Sequence, residues 1–255
     1  MIYPSSVSPL TSLRVIVAAD PAAAAELATT RILTLLHSKP TAALGVATGS
    51  TPSPVYRALS RAQLAESLDL SRARAFALDE YVGIDARLPQ SYRSVIDAEV
   101  TEQLGFQRSH VSVPDGSAAD LAAAARDYEA AIDAIGGVDL QILGIGHNGH
   151  IGFNEPGSAH DSVTRVVTLT QETREANARF FDDNVELVPQ QAMTQGIGTI
   201  LKARSIVLLA FGAGKAGAVA RALEGPIEEA SPASALRKHS DVTILLDEAA
   251  ASMLS

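Results

Sequence analysis

The sequence predicts an α/β protein: a doubly wound, mostly parallel sheet with helices on both faces, in a single domain spanning residues 1–255. Three observations predict it. Short apolar runs alternate with longer amphipathic ones from end to end, which is the βαβα order of parallel sheets. Several of the short runs are apolar at nearly every position, as strands covered on both faces are. No poly-Gly or poly-Pro linker and no internal repeat divides the chain.

Arg14–Ala18 (RVIVA) reads as the first strand, and Pro21–His37 as a helix with proline in its first turn. Ala42–Ala47 (AALGVA) is a second strand, broken by Thr48-Gly49-Ser50-Thr51-Pro52, and a helix follows over Pro54–Ala65. Ala73–Leu78 (ARAFAL) is a third strand ending at Asp79-Glu80-Tyr81, and Ser91–Val100 reads as a helix. Ala118–Ile135 is rich in alanine, the strongest helix former. Leu140–Ile145 (LQILGI) is a buried strand, and Val163–Thr170 a further strand suited to a sheet edge. Arg174–Phe181 reads as a short helix, Ser205–Phe211 (SIVLLAF) as a buried strand, Ala216–Leu223 as a helix and Val242–Leu246 (VTILL) as the last strand. Active-site loops are expected at the carboxyl ends of these strands.

Apolar residues make up 47% of the chain and charged residues 19%, enough for a core built mainly from Ala, Val, Leu and Ile because Trp is absent. The absence of cysteine removes disulfides, thiolate catalysis and thiolate metal sites together. A formal charge of −9 argues against nucleic acid as a partner, since that binding relies on Lys and Arg neutralising phosphates. One small phosphorylated metabolite is compatible with it, because a few local cations and backbone amides suffice. The start, MIYPSSVSPLTSLRVIV, lacks the basic and apolar regions of a signal peptide, and no run reads as a membrane span. The expected location is cytoplasmic, with no membrane partner.

Thr48-Gly49-Ser50-Thr51 sits where a strand gives way to a helix. It reads either as a turn with an N-cap or as a phosphate nest, where glycine permits the turn and amides and hydroxyls converge on an anion. It lacks the lysine and spacing of a P-loop, and no GxGxxG lies nearby. Asp79-Glu80 at a strand end reads as a cap or salt-bridge pair, or as the location of a catalytic base. The densest signal is Gly144–Pro156 (GIGHNGHIGFNEP), four glycines beside two histidines, two asparagines and a glutamate. His147 and His150 have a spacing that metal ligands use, but zinc requires a third protein ligand that nothing else supplies convincingly. An imidazole with a carboxylate in reach reads better as proton-transfer equipment. Among Arg174, Arg179, Lys202, Arg204 and Lys215, surface charge is the default. Lys215 is the exception, because it follows Phe211-Gly212-Ala213-Gly214 at a helix start, where a cation opposes the helix dipole unless an anion offsets it.

Taken together, these blocks resemble the glucosamine-6-phosphate deaminase family. TGSTP at Thr48–Pro52, LDEYVG at Leu78–Gly83 with Ser91-Tyr92, and GIGHNGHIGFNEP carry the resemblance; TREANARFF at Thr173–Phe181 and FGAGKA at Phe211–Ala216 extend it. The resemblance implies a Rossmann-like fold, shared with 6-phosphogluconolactonases and ribose-5-phosphate isomerases. It implies conversion of glucosamine 6-phosphate and water to fructose 6-phosphate and ammonia, with no metal and no redox cofactor. Asp79 matches the general base between C2 and C1, His150 the residue handling the ring-oxygen proton, and Glu155 the carboxylate assisting it. Asn148 matches a position that is aspartate in some members; an amide cannot take a proton, so it orients His150 or the substrate. Thr48, Gly49, Ser50 and Thr51 match the phosphate loop, Arg179 and Lys215 its cationic partners, and the stretch around 163–181 a mobile lid.

Two departures bear on regulation. Allosterically activated members carry a basic residue near the position of Val167; Arg165 and Ser158 are retained here, and the chain stops at Ser255 before the aromatic tail of that site. Activation by N-acetylglucosamine 6-phosphate is therefore expected to be weak or absent, and the choice between monomer and homo-oligomer is open. Galactosamine-6-phosphate deaminase, 6-phosphogluconolactonase and an idle sugar-phosphate sensor are the rival functions. A sensor would be free to lose Asp79, His150 or Glu155, and all three are present.

Overall fold

Apolar runs separated by capped helices give the chain its order. In this computed structural model, which describes residues 12–255, β1 (Ser12–Ala18) leads into α1 (Pro21–Ser38). The Asp20 carboxylate caps that helix by accepting from the Ala23 amide at 2.8 Å. Next come β2 (Ala43–Val46), α2 (Ser53–Glu66), β3 (Arg74–Ala77), β4 (Asp79–Tyr81), α3 (Tyr92–Ile96), β5 (Val111–Ser112), α4 (Leu121–Ala134) and β6 (Leu140–Leu143). The second half adds β7 (Arg165–Thr168), α5 (Gln171–Asn177), β8 (Gln191–Thr194), α6 (Ile197–Leu201), β9 (Ser205–Ala210), α7 (Ala216–Glu224), β10 (Asp241–Asp247) and α8 (Glu248–Ala251). The expectation about a signal peptide falls largely on residues 1–11 and lies outside the described residues. Among the described residues no helix is long and apolar enough to cross a membrane.

Seven strands form one sheet in the order β1-β10-β9-β6-β2-β3-β5, every pairing parallel. Strand alternation feeds a core on each face. Ile206, Leu208, Val242, Ile244 and Leu246 pack with residues of α4, α6 and α7, whereas Val207, Leu209 and Leu245 join α1 and α2. The winding reverses between β2 and β6. From β2 the chain works outward through β3 to β5, and from β6 it works the other way through β9 and β10. Connections leaving adjacent strands in opposite directions open a crevice at their carboxyl ends.

A second, antiparallel sheet of order β4-β8-β7 is absent from the sequence reading. Asp79-Glu80-Tyr81 is not the frayed end of β3 but a separate strand, paired with Thr194, Met193 and Ala192. Leu78 makes the transfer: its amide still bonds Val46 of the main sheet (3.0 Å), while its carbonyl accepts from the Gln195 amide (2.7 Å). Gln191–Thr194 (QAMT) has too little pattern to be read as a strand, and its partners lie about a hundred residues away or across a loop. The strand expected over Val163–Thr170 is β7, at the edge of this small sheet. The helix expected over Ser91–Val100 starts as α3 and widens to π-helical turns over Asp97–Glu102.

Asp139 pins the opposite end of the switch point. Its buried carboxylate accepts from the Ala43 amide at 2.8 Å, from Lys39 Nζ at 2.8 Å and from Arg204 at 3.0 Å, joining the starts of β2 and β6. Both cationic heads are partly exposed, so most of the cost of losing the carboxylate is the stranded Ala43 amide. Asp139→Ala is expected to lower the unfolding free energy by about 1–3 kcal/mol in urea titrations. Binding in the cleft at the far end of the strands should be unchanged.

Candidate active site

The crevice between β2 and β6 widens into a cleft of about 830 Å³. Thr48, Gly49, Ser50, Thr51, Asp79, His150, Arg179 and Lys215 all line it, although they come from five separate stretches of chain. The loop after β2 is held at its root by Tyr56, whose hydroxyl donates to the Ala47 carbonyl at 2.8 Å and accepts from its amide at 3.0 Å. Gly49 then takes φ +104°, a left-handed conformation that lets the chain turn into the N-terminus of α2. The result is a concave run of amides and hydroxyls.

The two adjacent acids separate in role. Glu80 points back toward the start of α3, where it accepts from the amides of Tyr81, Tyr92 and Arg93 at 2.8–3.0 Å. The cap reading was right for Glu80. Asp79 points into the cleft, is 6% exposed, and has no hydrogen-bond partner for its carboxyl among the described residues. Burial, with a smaller push from the Glu80 charge, raises it from 3.8 to about 8.

His150 is oriented from behind. Asn148 Nδ2 donates to Glu155 Oε2 at 2.7 Å, and an ionised carboxylate can only accept. Asn148 Oδ1 therefore faces His150, accepting from its amide at 3.1 Å and from ring Nδ1 at 2.8 Å. The proton of the neutral ring sits on Nδ1, and Nε2 is left as the basic nitrogen. Glu155 also lies 3.5 Å from His150 Nδ1, so the amide and the carboxylate both sit against the ring, with Asn148 making the shorter contact. Neither Asn148 nor Glu155 lines the cleft; both contact His150 from behind. The other oxygen of Glu155 accepts from Thr170 at 3.1 Å and from Thr173. Burial alone would raise the Glu155 carboxyl. The hydrogen bonds from His150, Thr173 and Asn148, together with the His150 charge, outweigh it and hold the group at about 2. Glycine at 146 is required by this arrangement, since a Cβ there would stand 2.2 Å from His150 Cε1.

Lys215 sits at the turn before α7, and burial, then Arg179, lowers its pKa. Arg179 projects from the segment after α5, its guanidinium 4.7 Å from the Phe180 ring centroid. Among the described residues neither cation lies within ion-pair distance of a carboxylate. Lys215, half-buried, and Arg179, exposed, thus share the cleft wall with the Thr48–Thr51 loop, an arrangement that could hold an anion. Arg174 is structural, bonded to the Val185 and Val188 carbonyls, and Arg204 belongs to Asp139. Among the described residues no three His, Asp or Glu side chains gather as a metal would need.

Several cleft residues escaped sequence reasoning. Tyr81 and Tyr92 bring their hydroxyls to 3.3 Å, and Asn177 of α5 donates to Tyr81 at 3.0 Å. Buried and half-buried tyrosines in strands and helices look like core in a sequence. Thr173, which lines the cleft, and Thr170 beside it look like an ordinary helix cap, which they also form: Thr170 accepts from the Thr173 amide at 3.2 Å.

A family model described as glucosamine-6-phosphate isomerases/6-phosphogluconolactonase matches residues 18–245. A glucosamine-6-phosphate deaminase of Streptomyces coelicolor is 53% identical over 242 residues, which cover 95% of this chain and 93% of that protein. One from Bifidobacterium longum is 48% identical over 250 residues, covering 94% and 92%. The solved structure of a monomeric glucosamine-6-phosphate deaminase superposes with a TM-score of 0.92 at 43% identity, covering 94% of this chain and 99% of that one. A 6-phosphogluconolactonase from Trypanosoma cruzi shares the fold at TM-score 0.77 and 22% identity.

A buried carboxyl raised this far costs stability once it ionises. The unfolded chain releases the proton near pH 4 and the folded one near 8, so folding stability falls as pH rises through that window. Asp79→Asn is expected to raise the thermal unfolding midpoint, with a gain that grows from about pH 4 to pH 8 and then levels. A gain independent of pH would contradict this origin.

Proposed function

Since the chain belongs to the family of glucosamine-6-phosphate isomerases and 6-phosphogluconolactonases, we infer that its cleft converts glucosamine 6-phosphate and water to fructose 6-phosphate and ammonia. The observation that carries the reading is Asp79: a buried carboxyl with no hydrogen-bond partner among the described residues, sharing one cleft with an imidazole whose Nδ1 is occupied. Moving a proton between neighbouring carbons needs one positioned carboxylate, and opening a sugar ring needs a separate proton carrier.

The phosphate group binds the Thr48–Thr51 amides and hydroxyls with Lys215 and Arg179, and so supplies binding energy from a part of the substrate that does not react. His150 Nε2 takes the proton of the anomeric hydroxyl and returns it to the ring oxygen, which opens the ring. Glu155 and Asn148 keep the ring oriented. Asp79, whose pKa burial raises, ionises beside the positively charged amino group. Its carboxylate removes the C2 proton to give an enolamine and delivers that proton to C1. The C2 imine then adds water and loses ammonia, leaving the ketose. The stretch 163–181 acts as the cover of the cleft, since Arg179, Phe180 and Thr173 line it from that side.

The same reading extends to regulation. Val167 offers no charge at the position where activated members carry a cation, and Arg165 is already bonded to Asn154 at 2.8 Å. Activation by N-acetylglucosamine 6-phosphate is weak or absent on this account.

Ammonia release from glucosamine 6-phosphate is the decisive assay. Asp79→Asn should reduce it by about two to four orders of magnitude. A preference for galactosamine 6-phosphate would keep the mechanism and change the substrate; silence on both with sugar phosphates still bound would favour a sensor. Saturating N-acetylglucosamine 6-phosphate should leave the half-saturation concentration within about twofold, against the fivefold or more typical of allosteric coupling.

A further inference from the structure

One titratable side chain in the cleft has no part in the steps above. His147 is exposed, lines the cleft, and makes no hydrogen bond through either ring nitrogen among the described residues. Its backbone is fixed, because its carbonyl accepts from Arg221 of α7 at 3.1 Å. Its ring is confined too: Nε2 stands 3.3 Å from where a Cβ on Gly214 would lie, so the imidazole is seated over the Gly214-Lys215 turn that opens α7. Nε2 therefore lies beside the turn that carries Lys215, in the cleft that Arg179 also lines.

We propose that His147 is a third, pH-gated ligand of the substrate's phosphate group, joining Lys215 and Arg179. The proposal deepens the sugar-phosphate reading of the cleft and rests on it. The groups that face His147 come from three directions: Lys215 from the turn before α7, Glu172 and Arg179 from the α5 segment, and His150 from its own loop. Lys215 is the largest influence and, with burial, His150 and Arg179, holds the imidazole below its usual range against the single opposing charge of Glu172. A phosphate dianion seated between the two cations reverses the local field. The imidazole then gains a proton and donates to a phosphate oxygen, so binding draws one proton from solution. A permanent third cation would repel Lys215 in the empty cleft; an imidazole is charged only when the anion is present.

The test is calorimetric binding of inorganic phosphate and of fructose 6-phosphate, in two buffers of different ionisation enthalpy, across about pH 6.5 to 9. Wild type and His147→Gln are compared so that the ionisation of phosphate itself, and of Asp79, cancels in the difference. Wild type is expected to take up more protons than the variant near neutrality. It should bind both ligands roughly three- to tenfold more tightly at the acid end, with the two curves meeting near pH 9. His147→Lys should bind tightly without that pH dependence. Equal proton uptake in wild type and His147→Gln, or no binding of phosphate by either, overturns the proposal. Uptake with inorganic phosphate but no binding of fructose 6-phosphate supports His147 as a phosphate ligand and overturns the sugar reading instead.

Discussion

A parallel sheet that winds both ways must reverse between two neighbouring strands, and everything the cleft contains follows from where this one reverses. β2 and β6 are adjacent but send their connections to opposite sides, so no segment crosses between their carboxyl ends. The Thr48–Thr51 loop is the exit of β2, and the Gly144–Pro156 loop is the exit of β6. Asp139 fastens the opposite ends of the same two strands. The crevice is therefore a gap in a rigid frame, and its lining can be polar without weakening either core.

Onto that frame the small antiparallel sheet places one buried acid. In solution Asp79 and Glu80 would titrate alike. The turn at Leu78 moves both into β4, where strand alternation sends one side chain each way. Glu80 meets three backbone amides and Asp79 meets none, so one carboxylate is stabilised and its neighbour is left desolvated. A carboxyl of raised pKa is thereby made from a common side chain by geometry alone.

Glu155 shows the opposite treatment. It is nearly as buried as Asp79, yet Asn148, Thr170, Thr173 and His150 surround it, and it stays ionised. Two of those donors belong to the segment that also carries Arg179 into the cleft wall. The placement of that cation and the orientation of the imidazole consequently depend on the same short helix.

The alternating runs determined the doubly wound sheet, since a strand apolar at every position can be satisfied only between two layers of helices. The same alternation put Thr48–Thr51, Asp79 and His150 at strand ends, where the residues alone left turn or cap readings beside the catalytic and anion-binding ones; the family resemblance chose between them. Three matters were left to the tertiary structure: the second sheet, the division of labour between Asp79 and Glu80, and the placing of both Asn148 and Glu155 against the His150 ring. Each depends on partners distant in the chain or on the direction a side chain takes, as when Gln195 meets Leu78 or Thr173 meets Glu155. Periodicity reports which face of an element is apolar; it carries no information about which remote group a polar atom will find, and that is what sets the charge of a buried acid.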